Sequence, residues 1–292
     1  MADEGPWTIG RLLQWTTQYL KRRGASSPRL DAEILLAYAL GCQRIDLYTS
    51  YESVPSDEAR ATFRQLVLRR AAGEPVAYLV GRREFYCLSF RVNSHVLIPR
   101  PETELLVVTL LELARQWPHE KPLRICDVGT GSGIVAICAA KHLPRCSVIA
   151  TDISPQALAV ARMNAEEHGV AERIRFVESD LLCVLAPEER FAFLVSNPPY
   201  VREDEFADLP VEVRQFEPRH ALVAGPQGTE IIQRLLPQAA ERLVSAGYLL
   251  LEISPRLHEE IRQLIASNPH FELGETREDL ARLPRVVLAR KK

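Results

Sequence analysis

LRICDVGTGSGIVA, residues 123–136, decides the fold of this chain. It starts as an apolar strand, crosses three glycines and opens on a helix. At such a junction backbone amides and a positive helix end approach a polar ligand closely, because glycine carries no side chain. Gly131, Gly133 and Ala136 fit the pattern G-x-G-x-x-[GA], and Asp152, about twenty residues on, suits a ribose hydroxyl of NAD or of S-adenosylmethionine. Spacing alone does not choose between the two cofactors. Gly129, Thr130, Gly131, Ser132, Gly133 and Asp152 are the first candidate cofactor residues.

Outward from this stretch, strands and helices alternate. Strands are expected at 123–128, 147–153, 174–179, 191–196, 247–253 and 285–290, with helices between most of them. That rhythm predicts an α/β fold, a mostly parallel sheet covered on both faces that binds ligands at the carboxyl ends of its strands. Asp180-Leu181 ends the third strand on the same rim, where the acid can accept an adenine amino hydrogen and the leucine can cover the ring. Asp180 reads equally as a helix cap.

Upstream the pattern differs. Residues 1–73 read as a helical bundle. Ile9, Leu12, Leu13, Thr16 and Leu20 share one helix face, Ser27-Pro28 and Gly41 bracket a second helix, and Ser56 opens another that ends near Gly73. Residues 74–100 turn aromatic and β-branched, predicting a hairpin linker around Gly81 and Asn93. From Pro101 to residue 292 the α/β domain follows, opening on an acidic helix start.

Composition narrows the function. With 36 basic and 38 acidic residues among 292, net charge is -2, so nothing overall favours a nucleic-acid substrate. No run approaches a membrane span, and the N-terminus MADEGPWTIG is acidic where a signal peptide is basic. The six cysteines form no C-x-x-C pair and read as reduced thiols of a cytoplasmic protein, with no metal site expected.

FLVSNPPYVRE, residues 193–203, ends a buried strand on Asn197-Pro198-Pro199-Tyr200. Each proline restrains the residue before it, which fixes the directions of the carbonyls, and neither has an N–H to donate. The Asn197 side-chain oxygen and the Pro198 backbone oxygen then form a rigid pair, each able to accept one hydrogen of a planar NH2 group. Tyr200 stacks on the flat face of that group. Such a nitrogen is a poor nucleophile while its lone pair is delocalised, and gripping both hydrogens aims the lone pair at an electrophile. A sulfonium methyl suits this site and a hydride carrier does not. Asn197, Pro198 and Tyr200 are therefore the catalytic candidates. Asn197 to Tyr200, Pro199 included, form the substrate site, and Asn197 also borders the cofactor.

With these motifs located, the chain resembles the release factor glutamine N5-methyltransferases, the HemK/PrmC family of class I methyltransferases. The likeness runs nearly end to end. It rests on GEPVAYLVGRREFYCLSFRVNSHVLIPRPETELLV, DVGTGSG, ATDISPQALAVARMNA, SNPPYV, FEPRHAL and LLLEI. The resemblance implies a seven-stranded Rossmann-like sheet and S-adenosylmethionine as cofactor. It further implies methyl transfer to the glutamine of the Gly-Gly-Gln motif in class-1 peptide chain release factors. In such enzymes the residues matching Gly129–Gly133 and Asp152 hold the cofactor, Leu181 lies at the adenine, and Asn197–Tyr200 bind the glutamine. The loop Pro99–Thr103 faces the active site, and the helical bundle docks the release factor. Two stretches depart from the family. Glu252-Ile253-Ser254-Pro255-Arg256-Leu257 stands for E-I-G-x-x-Q, and Asp279-Leu280-Ala281-Arg282-Leu283-Pro284-Arg285 for D-L-A-G-x-D-R. The rival readings are an adenine amino-methylating enzyme for DNA, a cofactor-sensing module without turnover, and a dehydrogenase.

Overall fold

The structure, a computed structural model, describes residues 5–292, so the first four residues of the acidic N-terminus lie outside it. The chain divides into two units. One comprises the residues through Gly81 with Pro210–Phe216; the other comprises Arg82–Leu209 and Glu217–Lys292.

In the first unit, α1 (Ile9–Arg22), α2 (Pro28–Leu40), the short α3 (Asp46–Thr49), α4 (Asp57–Ala71) and α5 (Val76–Val80) enclose an apolar core of Leu13, Leu20, Leu35, Leu36, Leu47 and Phe63. The stop and start signals act as expected: Ser56 accepts the Ala59 N–H at the start of α4, and Gly41 ends α2 in the left-handed conformation. Ser27 makes no side-chain cap, and Pro28 alone sets that helix start. One buried cation crosses this core. Arg70 donates to Asp31 at 2.8 Å and to Glu212 at 2.8 Å, so the charge is paired where water cannot reach it.

The second unit opens with a hairpin, β1 (Arg82–Phe85) and β2 (Leu88–Arg91). The expected turn markers, Gly81 and Asn93, lie outside its two-residue turn. The turn falls on Tyr86 and Cys87, both at positive φ (50° and 57°), and residues 76–80 are helical. A primed turn on two non-glycine residues carries no sequence signal. It is held because the Tyr86 N–H donates to Glu104 at 2.9 Å.

Next come α6 (Thr103–Arg115), β3 (Arg124–Val128), α7 (Ile134–His142), β4 (Ser147–Asp152), α8 (Pro155–Glu167), β5 (Ile174–Glu178) and β6 (Phe191–Ser196). The chain continues through β7 (Val201–Arg202), α9 (Val211–Phe216, in the first unit), β8 (Val223–Gly225) and α10 (Glu230–Arg242). It ends with β9 (Leu243–Glu252), α11 (His258–Ala266), β10 (Phe271–Glu278) and β11 (Pro284–Lys291). The sheet has seven strands in the order β10-β11-β9-β6-β3-β4-β5, parallel from β9 to β5, with β11 and β10 antiparallel at one edge.

Both faces are buried, and the strands divide their side chains with period two. Ile125, Phe193, Val195 and Leu250 face the helices α6 and α7, while Cys126, Leu194, Leu249 and Leu251 face α10 and α11. Strand order reverses between β3 and β6, whose last residues, Val128 and Ser196, are partners across the ladder. The Ser196 hydroxyl donates to the Val128 carbonyl at 2.7 Å and pins the two ends together. The glycine loop and Asn197 therefore emerge side by side at a switch point, where such sheets bind ligands.

The two departures from the family pattern have different backbones. Ser254 is extended (φ -70°, ψ 135°), which any residue accepts, whereas Arg282 sits at φ 61° in the position where the family has glycine.

Candidate functional site

A cavity of about 330 Å³ opens at that switch point, within the second unit. Gly129–Ser132, Asp152, Asp180, Leu181, Asn197 and Pro199 line it. Gly133 and Pro198 are not lining residues, and Tyr200 packs into the apolar cluster on the α10 and α11 side.

The glycine loop is braced from inside. The Gly129 and Thr130 N–H groups donate to the Thr151 carbonyl at 2.8 and 2.9 Å, and the Gly131 N–H to Asp152 at 2.8 Å. Beneath it the buried Asp127 accepts from the Thr130 hydroxyl at 2.6 Å and the Ala136 N–H at 3.0 Å. Burial raises the Asp127 carboxyl to about 6 against these bonds. These amides are thus spent on the protein, and the loop serves as a stiff floor left bare at its glycines. Gly131 shows this directly: its φ is 56°, and a Cβ there would meet nothing within 4 Å. Gly133 is confined for another reason, since a Cβ would lie 3.1 Å from Ala161 on α8.

Asp152, at the end of β4, accepts from Gly131 and, at 2.9 Å, from the Ser154 N–H. Burial raises its pKa, and these bonds work in the opposite direction. Asp180 is ion-paired with Arg234 across the rim. Leu181 carries a left-handed backbone, φ 54°, at a cost of about 1 kcal/mol.

At the end of β6 the Asn197 Nδ2 donates to the Thr103 hydroxyl at 3.2 Å, which assigns Oδ1 as the amide's acceptor end. Tyr200 is half-buried, and its phenol is pushed up to about 12 by desolvation and by the Glu252 charge, so it stays neutral.

Sequence reasoning assigned no role to His95, Leu97, His220, Val223 or Arg234, which also line the cavity. Two supports hold segments beside the cavity. Glu217, buried, accepts from the Ile98 N–H at 3.1 Å and from Arg100 at 2.5 Å, holding the segment after the hairpin against the cavity. Asn164, fully buried on α8, bonds the Arg91 N–H at 2.7 Å and the Ser132 carbonyl at 2.8 Å, tying hairpin to glycine loop. Both lie in motifs that carry the family resemblance; spacing alone gave them no chemistry.

Comparison with known proteins places the two halves consistently. Residues 11–81 match the PrmC N-terminal domain and residues 102–213 the methyltransferase small domain. The chain is 46% identical over 291 residues to a release factor glutamine methyltransferase of Rhodopirellula baltica, covering 99% of this chain and 98% of that protein. It is 39% identical over 284 residues to one of Koribacter versatilis, covering 97% and 99%. Among solved structures, a methyltransferase from Pyrococcus furiosus aligns with TM-score 0.51 at 16% identity, covering 78% of this chain and 97% of that one. A 16S rRNA methyltransferase of T. thermophilus in complex with AdoMet and guanosine aligns at 0.51 and 18%, covering 72% and 50%. At these identities the structural likeness is one of fold. The chain belongs to the release factor glutamine methyltransferase family.

Proposed function

We propose that this enzyme transfers a methyl group from S-adenosylmethionine to the side-chain amide nitrogen of the glutamine in the Gly-Gly-Gln motif of class-1 release factors. The observation that carries the reading is the pairing of Asn197 with the glycine loop at one cavity, its amide held with the oxygen as acceptor. The cofactor fits the residues present: a floor left bare by Gly129 and Gly131, a buried carboxylate at Asp152, and an apolar wall at Leu181. When bound, it supplies an electrophilic methyl on sulfonium and leaves as the thioether.

The chain's own residues do the rest. Asn197 Oδ1 and the Pro198 carbonyl each accept one hydrogen of the substrate NH2, localising the lone pair for attack and stabilising positive charge as it develops on nitrogen. The proton becomes acidic once nitrogen is alkylated and passes to water, so no strong base is required. Asp180 and Leu181 take the adenine. Here Asp180 must share its carboxylate with Arg234.

The helical unit is the docking element for the release factor. Supporting this is an apolar groove lined by Trp7, Trp15, Tyr19, Phe63 and Leu68, with Trp15 49% exposed. We place the enzyme in the cytoplasm, where its substrate is made; no helix among the described residues is long and apolar enough to cross a membrane. An adenine methyltransferase for DNA is not favoured, because the full-length relatives carry the glutamine name.

Purified enzyme, labelled S-adenosylmethionine and a class-1 release factor should place label on that single glutamine. Labelling that persists unchanged after Gln→Ala in the motif would refute the proposal.

A further inference from the structure

The turn that follows β5 is held on both sides by one helix, α10. Asp180 and Leu181 line the cavity from this turn, and Arg234 lines it from α10. Leu181 stands at φ 54°, in the left-handed region that a leucine enters only when its surroundings compel it. The bonds that compel it lie on either side. Before it, the Asp180 carboxylate accepts from Arg234 through Oδ2. After it, the Leu182 N–H donates to the Gln238 side chain at 3.0 Å.

Arg234 and Gln238 are four residues apart and so stand one above the other on α10, whose inner face buries Ile232, Leu235, Leu236 and Ala239. The Gln238 amide has a fixed sense, because its Nε2 donates to the Arg234 carbonyl at 3.2 Å and its Oε1 accepts the Leu182 N–H. The ion pair is not a device for stability: with side chains 49% and 45% exposed it contributes little. What it fixes is a direction. Oδ2 of Asp180 is committed to Arg234, and Oδ1, which carries no hydrogen bond among the described residues, remains for another donor.

We propose that Gln238 and Arg234 are positioning residues for the adenine. Gln238 holds the backbone turn that presents Asp180 and Leu181, and Arg234 turns the Asp180 carboxylate so that one oxygen awaits the 6-amino group. This rests on the reading of Asp180 and Leu181 as the adenine's contacts. The next residue in the same row supplies the contrast. Arg242, four residues beyond Gln238, donates to the Leu185 carbonyl at 3.0 Å and to the Ala186 carbonyl, and none of these three residues lines the cavity.

The test is calorimetric binding of two ligands to the full-length enzyme: S-adenosylhomocysteine, and the analogue whose base is plain purine and lacks only the 6-amino group. Wild type is compared with Asp180→Ala, Gln238→Met, Arg234→Met and Arg242→Met. Wild type should prefer the adenine ligand about ten-fold, the worth of one hydrogen bond to a charged acceptor. In Gln238→Met and in Arg234→Met the affinity for S-adenosylhomocysteine should fall roughly ten-fold and that for the purine analogue about two-fold, because the ligand must now order the acceptor itself. The preference then shrinks to about two-fold. At saturating cofactor, kcat should stay within about three-fold of wild type, since this contact is made alike in ground and transition states. Arg242→Met should lower Tm and keep both affinities within about two-fold. A clamp with no part in recognition would weaken both ligands equally in Gln238→Met and Arg234→Met and leave the preference at its wild-type value, which overturns the proposal. An Arg242→Met that loses the preference as Gln238→Met does overturns it too. A wild type with no preference, or an Asp180→Ala that keeps it, shows that the adenine assignment itself is wrong, and the proposal falls with it. If Gln238→Met does not fold, Arg234→Met decides, since its ion pair is exposed.

Discussion

The ends of β3 and β6 stand side by side at the cavity, yet they are held by opposite means. The loop after β3 is tied to its own strand through Asp127 and to the next through Thr151 and Asp152, so the sheet register itself shapes it. The segment after β6 has two prolines with no N–H to give, and its working side chain is held by Thr103 from another element, α6. A floor whose task is to be empty can be made by local bonds. An acceptor whose task is to point one way needs support from a distance, and such support can be removed without disturbing the sheet.

Asn197→Ala should show the largest effect. Removing one acceptor aimed at developing charge costs about 3 kcal/mol, or 10²- to 10³-fold in kcat. The cofactor Kd should move little, because the floor after β3 does not need this side chain. A variant that loses both together would break the contrast between the two ends.

The buried carboxyl that ends β9 has its own signature in stability. The folded state raises the Glu252 carboxyl from 4.5 to about 7, so between those values it holds a proton that the unfolded chain has lost. Stability therefore falls as pH rises through that window and is constant above it. At about 1.4 kcal/mol per unit the loss is on the order of 3 kcal/mol. Glu252→Gln cannot titrate, so the gap in unfolding free energy between variant and wild type should shift by that amount in the variant's favour from pH 4.5 to about 7. Denaturant melts across the range measure it, and a constant gap would show that the carboxyl is not buried as described.

The β3 side should answer through folding instead. Asn164→Ala removes an amide that serves Arg91 and Ser132, leaving the Ser132 carbonyl unpaired in a buried site and the Arg91 groups unpaired in a half-buried one. A loss of about 2 kcal/mol is expected, with kcat nearly unchanged at temperatures where the variant is folded.

Most of the architecture was legible because it depends on local period. The strands at 124–128, 147–152, 174–178 and 191–196 lie where apolar runs between helices put them, and the loop after β3 declared itself through glycines. What stayed hidden was whatever depends on a distant partner. Glu252 reads as the polar end of an apolar strand, and nothing nearby in the chain reveals that it is buried. Asn164 reads as one more polar helix residue. The turn at Tyr86-Cys87 was missed for a related reason: Gly81 and Asn93 carried the local signal, while Glu104 supplies the hydrogen bond that makes the turn possible.

The smallest effects are expected away from the cavity, at the two departures from the family pattern, and they should differ in sign. Arg282 holds φ 61° in a turn that Asp279 ties together by accepting the Ala281 and Leu283 N–H groups at 2.8 and 3.0 Å. Arg282→Gly keeps those bonds and relieves a left-handed strain of about 1 to 2 kcal/mol. Against that stands the greater freedom glycine gives the unfolded chain, about 0.5 to 1 kcal/mol, so a small net gain near 0.5 is expected. Ser254 has no strain to relieve, being extended, so Ser254→Gly meets only the entropic term and should lose about the same amount. Paired melts of the two variants read the difference, and equal signs would mean that the Arg282 backbone is not strained.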